Sequence, residues 1–377
     1  MIIVHISDCY LPRLGGIEMQ VRQLAMRQAA AGHDVHVITG TLGHDQVRTG
    51  IELLDGVMVH RVAMELPLEA PVHPRTGYYV RQIITDLQNR GEVVAQVHAG
   101  VVSPFAWSAM RACSAMGLPT VVTVHSIWGP LAQPSFKTLN SLAKWSNLGV
   151  QLTSVSEVAA QKIRDVVGPD IPVLVTPNGV DPQLWRVTPI PHGVDEVHAV
   201  AVMRLAPRKR AMALLGILRS ARSEVPADIR LRATIVGDGP DRGRVERYID
   251  QHELDVTLAG RLAHEGIRDL YATADLFVQP SIKESFGLAA LEARTAGIPI
   301  IARQETGITE FVHQGVEGLL ADSDEHMAGA IAFLATHPDQ RARMAEHNRT
   351  VEPQQVWPRV LESVERAYEA ARLRVTS

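Results

Sequence analysis

The sequence predicts an α/β protein made of two parallel-sheet domains. Three observations carry this. The length of 377 residues suits two domains at roughly 150 residues each. Short apolar runs alternate with segments of helical period in both halves. Between Trp185 and Glu196 that pattern breaks, where Pro189, Pro191 and Gly193 punctuate a stretch with no apolar period. A linker is expected there, between domains at 1–187 and 196–356.

The first half opens on Met1-Ile2-Ile3-Val4-His5-Ile6-Ser7-Asp8, which reads as a strand buried on both faces. Leu11-Pro12-Arg13-Leu14-Gly15-Gly16 follows. Ile17, Val21, Leu24 and Gln28 then recur at helical spacing, Gly32 ends the helix, and 35–39 is the next strand. Such a βαβ unit builds a parallel sheet with helices on both faces. Further strands are expected at 93–98, 120–125, 152–155 and 173–177. In the second half, strands are expected at 198–205, 231–237, 256–260, 276–279 and 299–302. Helices are expected near 209–223, 241–251, 267–273 and 286–296. A terminal helix over 357–373 carries Val360, Val364 and Ala367 on one face.

Composition narrows the function classes. The chain is 46% hydrophobic and 21% charged, with mean hydropathy +0.02, which excludes a disordered chain. With 37 basic and 41 acidic residues, no basic excess argues for non-specific nucleic-acid binding. Cys9 and Cys113 cannot make a disulfide framework, and no Cys/His spacing reads as a zinc site. A reduced, cytoplasmic compartment is expected. The N-terminal run reads as a strand and not as a leader, and no stretch approaches the roughly 18 apolar residues of a membrane span.

The strongest motif is Pro280-Ser281-Ile282-Lys283-Glu284-Ser285-Phe286-Gly287-Leu288-Ala289-Ala290-Leu291-Glu292. A strand ends at Pro280, and a helix capped by Ser285 is expected to follow. The amides of Phe286, Gly287 and Leu288 would then face outward and bind phosphate, and Gly287 would admit a close ligand. Glu284 and Glu292 lie about 12 Å apart if the segment is helical throughout, spaced to hold hydroxyls at two ends of an extended ligand. The structural alternative is a glutamate favouring the helix dipole and another on a surface face. Met203-Arg204-Leu205-Ala206-Pro207-Arg208-Lys209-Arg210 follows the first strand of the second domain. There Arg204 and Lys209 could clamp a diphosphate, or the run could be a solvated basic loop. Val236-Gly237-Asp238-Gly239-Pro240 ends another strand, where Gly237 and Gly239 allow close backbone approach. It lacks the dinucleotide-binding spacing, since Arg242 stands at the sixth position. Gly15 and Gly16 could bring amides to a phosphate, or simply make a tight turn.

His98 and His125 both end strands, where ligand-facing residues belong, although a histidine there is commonly a satisfied core residue. Asp322-Ser323-Asp324 matches a metal-binding DxD pattern, but its polar turn reads as a helix N-cap.

These features in this order resemble glycosyltransferase family 4, the group 1 retaining glycosyltransferases. The Glu284–Glu292 segment is the most specific. Thr176-Pro177-Asn178-Gly179-Val180-Asp181, the Arg204/Lys209 pair, 236–240, 296–302 and Gly15-Gly16 support it. The resemblance implies the GT-B fold, α/β with two Rossmann-like domains facing each other across a cleft. It implies an acceptor-binding first domain, on which the C-terminal helix (357–377) packs, and a donor-binding second domain. It implies transfer of a hexosyl unit from a nucleoside diphosphate sugar to a hydroxyl acceptor without a metal or other cofactor, UDP-sugar being favoured and GDP-mannose the alternative. By the same resemblance, Glu292 binds ribose, and Arg204 and Lys209 neutralise the diphosphate. The amides of Phe286, Gly287 and Leu288, aided by Gly16, bind the distal phosphate, with Gly237 and Gly239 in the same donor site. Glu284 and His125 contact the transferred sugar. Two positions depart from the family pattern: His98-Ala99-Gly100 lacks a second histidine, and Thr306-Gly307-Ile308-Thr309-Glu310 carries one glycine before its glutamate.

Rival readings are a sugar-nucleotide epimerase of the same fold and a non-catalytic sugar-nucleotide-binding subunit. The acceptor is expected at loops 66–79 and 126–145, and is a small molecule, a glycan or a lipid. Phe136, Leu139, Leu142 and Trp145, with Lys137 and Lys144, form a stripe that either packs on the sheet or touches a membrane peripherally.

Overall fold

A computed structural model describes residues 1–13, 15–43, 49–63, 73–129, 132–193 and 195–375. Leu14, residues 66–72 of the first expected acceptor loop and residues 130–131 of the second lie outside these. The chain separates into two compact units, Met1–Gly179 with Trp357–Ser377, and Val180–Val356. The division falls at Gly179, earlier than the expected linker. Val180 bridges Val356 in parallel, and its N–H donates to the Gln355 carbonyl at 2.9 Å. The chain segments entering and leaving the second unit thus meet in a single bridge. The 185–193 stretch belongs to the second unit, where the Ile190 N–H donates to the Ala272 carbonyl at 2.7 Å.

The first unit runs β1 (Ile2–Ser7), α1 (Gly16–Ala30), β2 (Asp34–Thr39), β3 (Thr49–Leu54), β4 (Val57–Val62), α2 (Thr76–Gln88), β5 (Val93–Ala99), α3 (Pro104–Ala115), β6 (Thr120–Val124), α4 (Ala132–Ala143), β7 (Gln151–Ser154), α5 (Glu157–Val167) and β8 (Val173–Val175). The strands form one sheet in the order β3-β4-β2-β1-β5-β6-β7-β8, parallel except for the β3–β4 hairpin. That hairpin turns at Asp55-Gly56, both at positive φ (53° and 79°), the geometry that an Asp-Gly pair favours. Side chains alternate across β1. Ile2, Val4 and Ile6 enter the core that contains residues of α2 and α3. Ile3 packs instead with Val21 and Leu24 of α1 and with Trp357, Val360, Val364 and Ala367 of the C-terminal helix, Trp357–Val375.

The second unit runs α6 (Pro182–Trp185), β9 (Glu196–Val202), α7 (Ala211–Glu224), β10 (Arg230–Val236), α8 (Arg242–Gln251), β11 (Val256–Gly260), α9 (His264–Tyr271), β12 (Leu276–Gln279), α10 (Leu288–Thr295), β13 (Ile300–Arg303), β14 (Gly318–Ala321), α11 (Asp324–Thr336) and α12 (Pro338–Thr350). Its sheet is parallel throughout, in the order β11-β10-β9-β12-β13-β14. Strand order reverses between β9 and β12, and open α/β sheets bind ligands outside the carboxyl ends of strands at such a point. The corresponding reversal in the first sheet lies between β1 and β5.

Two helix starts differ from expectation. Lys209 lies in a 3₁₀ turn, Pro207–Lys209, and Arg210 adopts φ 63° before α7 begins. The second helix begins at Leu288 behind Gly287, whose φ of 91° makes it the N-cap without a side-chain cap. Ser285 therefore does not cap it, and Glu284 stands outside the helix, so the expected helical rise between Glu284 and Glu292 does not apply.

Glycines fix the loops after β9 and β10. A Cβ on Gly237, at φ 130°, would stand 1.8 Å from the Met203 carbonyl oxygen. One on Gly239 would stand 2.3 Å from that of Leu205. Gly237→Ala is expected to lower the unfolding free energy by about 2 kcal/mol or more, seen as a lower urea midpoint. Gly16→Ala, with nothing within 4 Å of its Cβ position, should leave the midpoint nearly unchanged.

Candidate donor site

The loop after β9 and the loop after β12 are tied by side chains. Lys209 Nζ lies 2.6 Å from Glu284 Oε2, and Gln279 Nε2 donates to the same oxygen at 2.9 Å. Arg210 donates to the Pro280 carbonyl at 3.0 Å and forks onto Asp324 at 2.9 and 2.7 Å. The loop after β10 joins through the Leu205 N–H, which donates to the Asp238 carbonyl at 2.9 Å. The loop after β13 joins through the Gly307 N–H, which donates to the Glu284 carbonyl at 2.9 Å. Four strand ends thus converge on one place.

Glu284 is buried, while Lys209 keeps about a third of its side chain exposed. The ammonium is therefore anchored yet reachable. Arg204 is exposed and has no side-chain hydrogen bond or ion pair among the described residues. The first-turn amides of α10, at Leu288, Ala289 and Ala290, have no acceptors within the helix. Arg204, Lys209 and these amides supply positive charge and donors beside the β9/β12 reversal.

Glu292 sits in the second turn of α10. Burial raises its pKa to about 8, and no side-chain hydrogen bond or ion pair holds it among the described residues. Part of its surface stays accessible. A desolvated carboxyl with no protein partner is costly and has unused hydrogen-bonding capacity.

Other expected residues have structural duties. The Phe286 side chain is buried, its ring 5.5 Å from that of Phe311. A Cβ on Gly287 would stand 2.5 Å from Ile308, so this glycine makes room for the turn at 307–310. The Gly237 N–H donates to the Gly260 carbonyl at 2.7 Å, and the Gly239 N–H to Asp238 Oδ1 at 2.8 Å. Both amides are engaged within the protein, and both glycines admit protein carbonyls. Gly307 and Gln279 were missed. A Cβ on Gly307 would fall 2.0 Å from the Ser285 carbonyl oxygen, and the lone glycine of 306–310 was the available signal.

In the first unit, Gly16 is exposed at the start of α1 with open space at its Cα, whereas the Glu18 carboxylate fills the space beside Gly15. His125 is buried just beyond β6, its N–H bonded to the Ala99 carbonyl at 2.9 Å. Burial lowers its pKa to about 4, so the ring is neutral. Asp322-Ser323-Asp324 is a helix cap as read: Ser323 accepts from the His326 N–H at 3.1 Å, and Asp324 holds Arg210. The apolar stripe divides. Phe136 stacks on Trp128 at 4.1 Å and Trp145 is buried, while Leu139 and Leu142 are 47% and 81% exposed. Among the described residues, no helix is long and apolar enough to cross a membrane.

The family model described as Glycosyltransferase Family 4 matches residues 14–184, and the model for Glycosyl transferases group 1 matches residues 190–351. The chain belongs to this glycosyltransferase family. It is 26% identical over 373 residues to the gpi3 subunit of phosphatidylinositol N-acetylglucosaminyltransferase from Schizosaccharomyces pombe, covering 97% of this chain and 80% of that one. It is also 26% identical to a GDP-mannose-dependent alpha-mannosyltransferase of Mycolicibacterium smegmatis, covering 98% and 97%. Anabaena HepE, solved with UDP and glucose, superposes with a TM-score of 0.72 at 19% identity over 97% of this chain and 98% of that one. The GT-B fold class and the assignment as a glycosyltransferase, a hexosyltransferase, therefore stand.

The buried Glu292 makes stability depend on pH. The folded chain holds this proton up to about pH 8, while the unfolded chain releases it in the ordinary carboxylate range. The folded state binds more protons between those values, so stability falls as pH rises through them. Glu292→Gln is expected to stabilise the ligand-free protein at pH 8, by about 2 kcal/mol or more, and to do so much less at pH 5. Urea unfolding at the two pH values checks this.

Proposed function

We propose that this glycosyltransferase moves a hexosyl unit from a nucleoside diphosphate sugar to a hydroxyl acceptor, with retention and without a metal ion. The observation that carries the reading is the pairing of two reachable cations, Arg204 and Lys209, with the buried and unpartnered carboxyl of Glu292 at the carboxyl side of the second sheet. A diphosphate offers the counter-charge that Arg204 lacks and a second partner for the exposed side of Lys209, and a ribose offers the hydroxyls the carboxyl lacks. Breaking the sugar–oxygen bond places charge on the leaving phosphate. Arg204, Lys209 and the α10 amides stabilise it without a metal. Glu284, oriented by Lys209 and Gln279, contacts the transferred sugar.

The first unit binds the acceptor in this reading. A UDP-sugar is the favoured donor, as the UDP and glucose in the Anabaena neighbour suggest. GDP-mannose is the alternative that the mycobacterial relative's name supports. The yeast relative is named for phosphatidylinositol. With Leu139 and Leu142 exposed, it supports a lipid-linked acceptor met peripherally at the cytoplasmic face of a membrane.

A thermal-shift panel of UDP, GDP, ADP and TDP, with and without EDTA, tests the donor site. A nucleotide at 100 times its Kd adds roughly 2.7 kcal/mol of stability. One diphosphate should stabilise the wild type regardless of EDTA and fail to stabilise Lys209→Ala. Stabilisation that EDTA abolishes would refute the metal-free clamp, and no shift with any nucleotide would refute the donor site.

A further inference from the structure

Residue 210 is a cation in a backbone conformation that suits glycine. Arg210 takes φ 63° and ψ 38° between the 3₁₀ turn Pro207–Lys209 and the start of α7. In that left-handed region a β-carbon crowds the backbone, and glycine sits freely. The turn itself is closed by main-chain bonds. The Arg210 N–H donates to the Pro207 carbonyl at 3.1 Å, and the Leu214 N–H donates to the Arg210 carbonyl at 3.0 Å. A glycine would form this turn without strain, so the turn alone does not account for an arginine. A side chain persists in such a conformation where its surroundings over-determine it.

The surroundings of Arg210 do so. Nη1 donates to the Pro280 carbonyl at 3.0 Å and to Asp324 Oδ1 at 2.9 Å, and Nη2 donates to Asp324 Oδ2 at 2.7 Å. A guanidinium and a carboxylate paired fork to fork fix each other's orientation as well as their distance. Asp324 is the first residue of α11, where the helix dipole favours its negative charge. Arg303 Nη1 also approaches Asp324 Oδ1, at 3.4 Å. From the loop after β9, Arg210 thus reaches both the end of β12 and the start of α11. Lys209 is one peptide bond away. Its carbonyl accepts from Ser281 Oγ at 3.4 Å, and its Nζ lies 2.6 Å from Glu284 Oε2. Two consecutive cations therefore hold the 280–284 segment, one at its first carbonyl and one at its last carboxylate.

We propose that Arg210 and Asp324 are a positioning pair that holds residue 210 in the left-handed turn and so sets where the Lys209 ammonium stands for a donor diphosphate. This rests on the reading of Lys209 as a diphosphate ligand and adds the device that aims it. Asp324 already matches the charge of Arg210, which acts through its neighbour and not on the phosphates. A misplacement of about 1 Å can cost roughly a hundredfold at a reacting centre, so a pair outside the contact surface can govern it.

The test uses full-length protein. UDP and GDP are titrated by isothermal calorimetry, and urea midpoints are measured in parallel. Arg210→Gly keeps the turn and removes the anchor. Its midpoint should stay near the wild-type value, because relief of the backbone offsets the lost bonds. Its Kd for whichever diphosphate binds the wild type should nevertheless weaken about tenfold. Arg210→Ala, which keeps the strain, should show a lower midpoint and the same weakened Kd. Asp324→Ala should weaken the Kd by a similar factor. Arg210→Gly combined with Asp324→Ala should be no weaker than either alone, since both remove one interaction. An unchanged Kd in Arg210→Gly would overturn the proposal, and a Kd that follows the midpoint across the variants would make the anchor structural only. Loss of affinity in Arg210→Gly with undiminished binding by Asp324→Ala would make Arg210 a direct phosphate ligand instead, as would losses that multiply in the double variant. If the wild type binds neither diphosphate, the donor-site reading itself falls and the positioning role falls with it.

Discussion

An ammonium held 2.6 Å from a buried carboxylate, Lys209 on Glu284, fastens the loops that the second sheet brings together where its strand order reverses. The pair adds little to overall stability, because Lys209 remains partly solvated and such pairs are weak in water. Its effect is positional. Glu284 also accepts from Gln279, and its carbonyl accepts from Gly307, so one residue fixes the ends of β9, β12 and β13 relative to one another. Arg210, braced on Asp324 and the Pro280 carbonyl, makes the same junction a second time. A charge clamp works best when its groups need not rearrange as charge develops.

Glu292 shows the opposite economy. Lys209 and Glu284 satisfy each other in the free protein, whereas the Glu292 carboxyl is desolvated with no protein partner among the described residues. Its raised pKa is a local instability that a ligand with paired hydroxyls can relieve. The two glutamates of one motif therefore differ in kind. Glu284 ties the loops together, and Glu292 is left with no side-chain bond among the described residues.

Most β-strands and their parallel arrangement were legible because apolar runs and glycine breaks follow directly from two-sided burial, whereas the antiparallel β3–β4 hairpin and β14 were not among the expected strands. The glutamate pair was legible because its residue types and spacing have few other uses. Local start signals misled at both site helices. Arg210 and Gly287 take positive φ, and each helix begins two residues late. Periodicity carries no information about such a kink. The glycines were visible but their purpose was not: Gly237, Gly239 and Gly307 make room for carbonyls of distant loops, and Gly287 for Ile308. The anchor of Arg210 could not be read either, since Arg210, Pro280 and Asp324 meet only in three dimensions.

The central claim is that Glu292 is the ribose anchor of a nucleoside diphosphate site. Isothermal calorimetry of UDP binding at pH 7, run in buffers of different ionisation enthalpy, tests it most directly. The free carboxyl, with a pKa of about 8, is mostly protonated at that pH. Hydroxyls donating to it favour the carboxylate, so binding should release a large fraction of one proton. The release should vanish in Glu292→Gln and with 2′,3′-dideoxy-UDP. Binding with no proton release in the wild type, or with the same release in Glu292→Gln, would contradict the account.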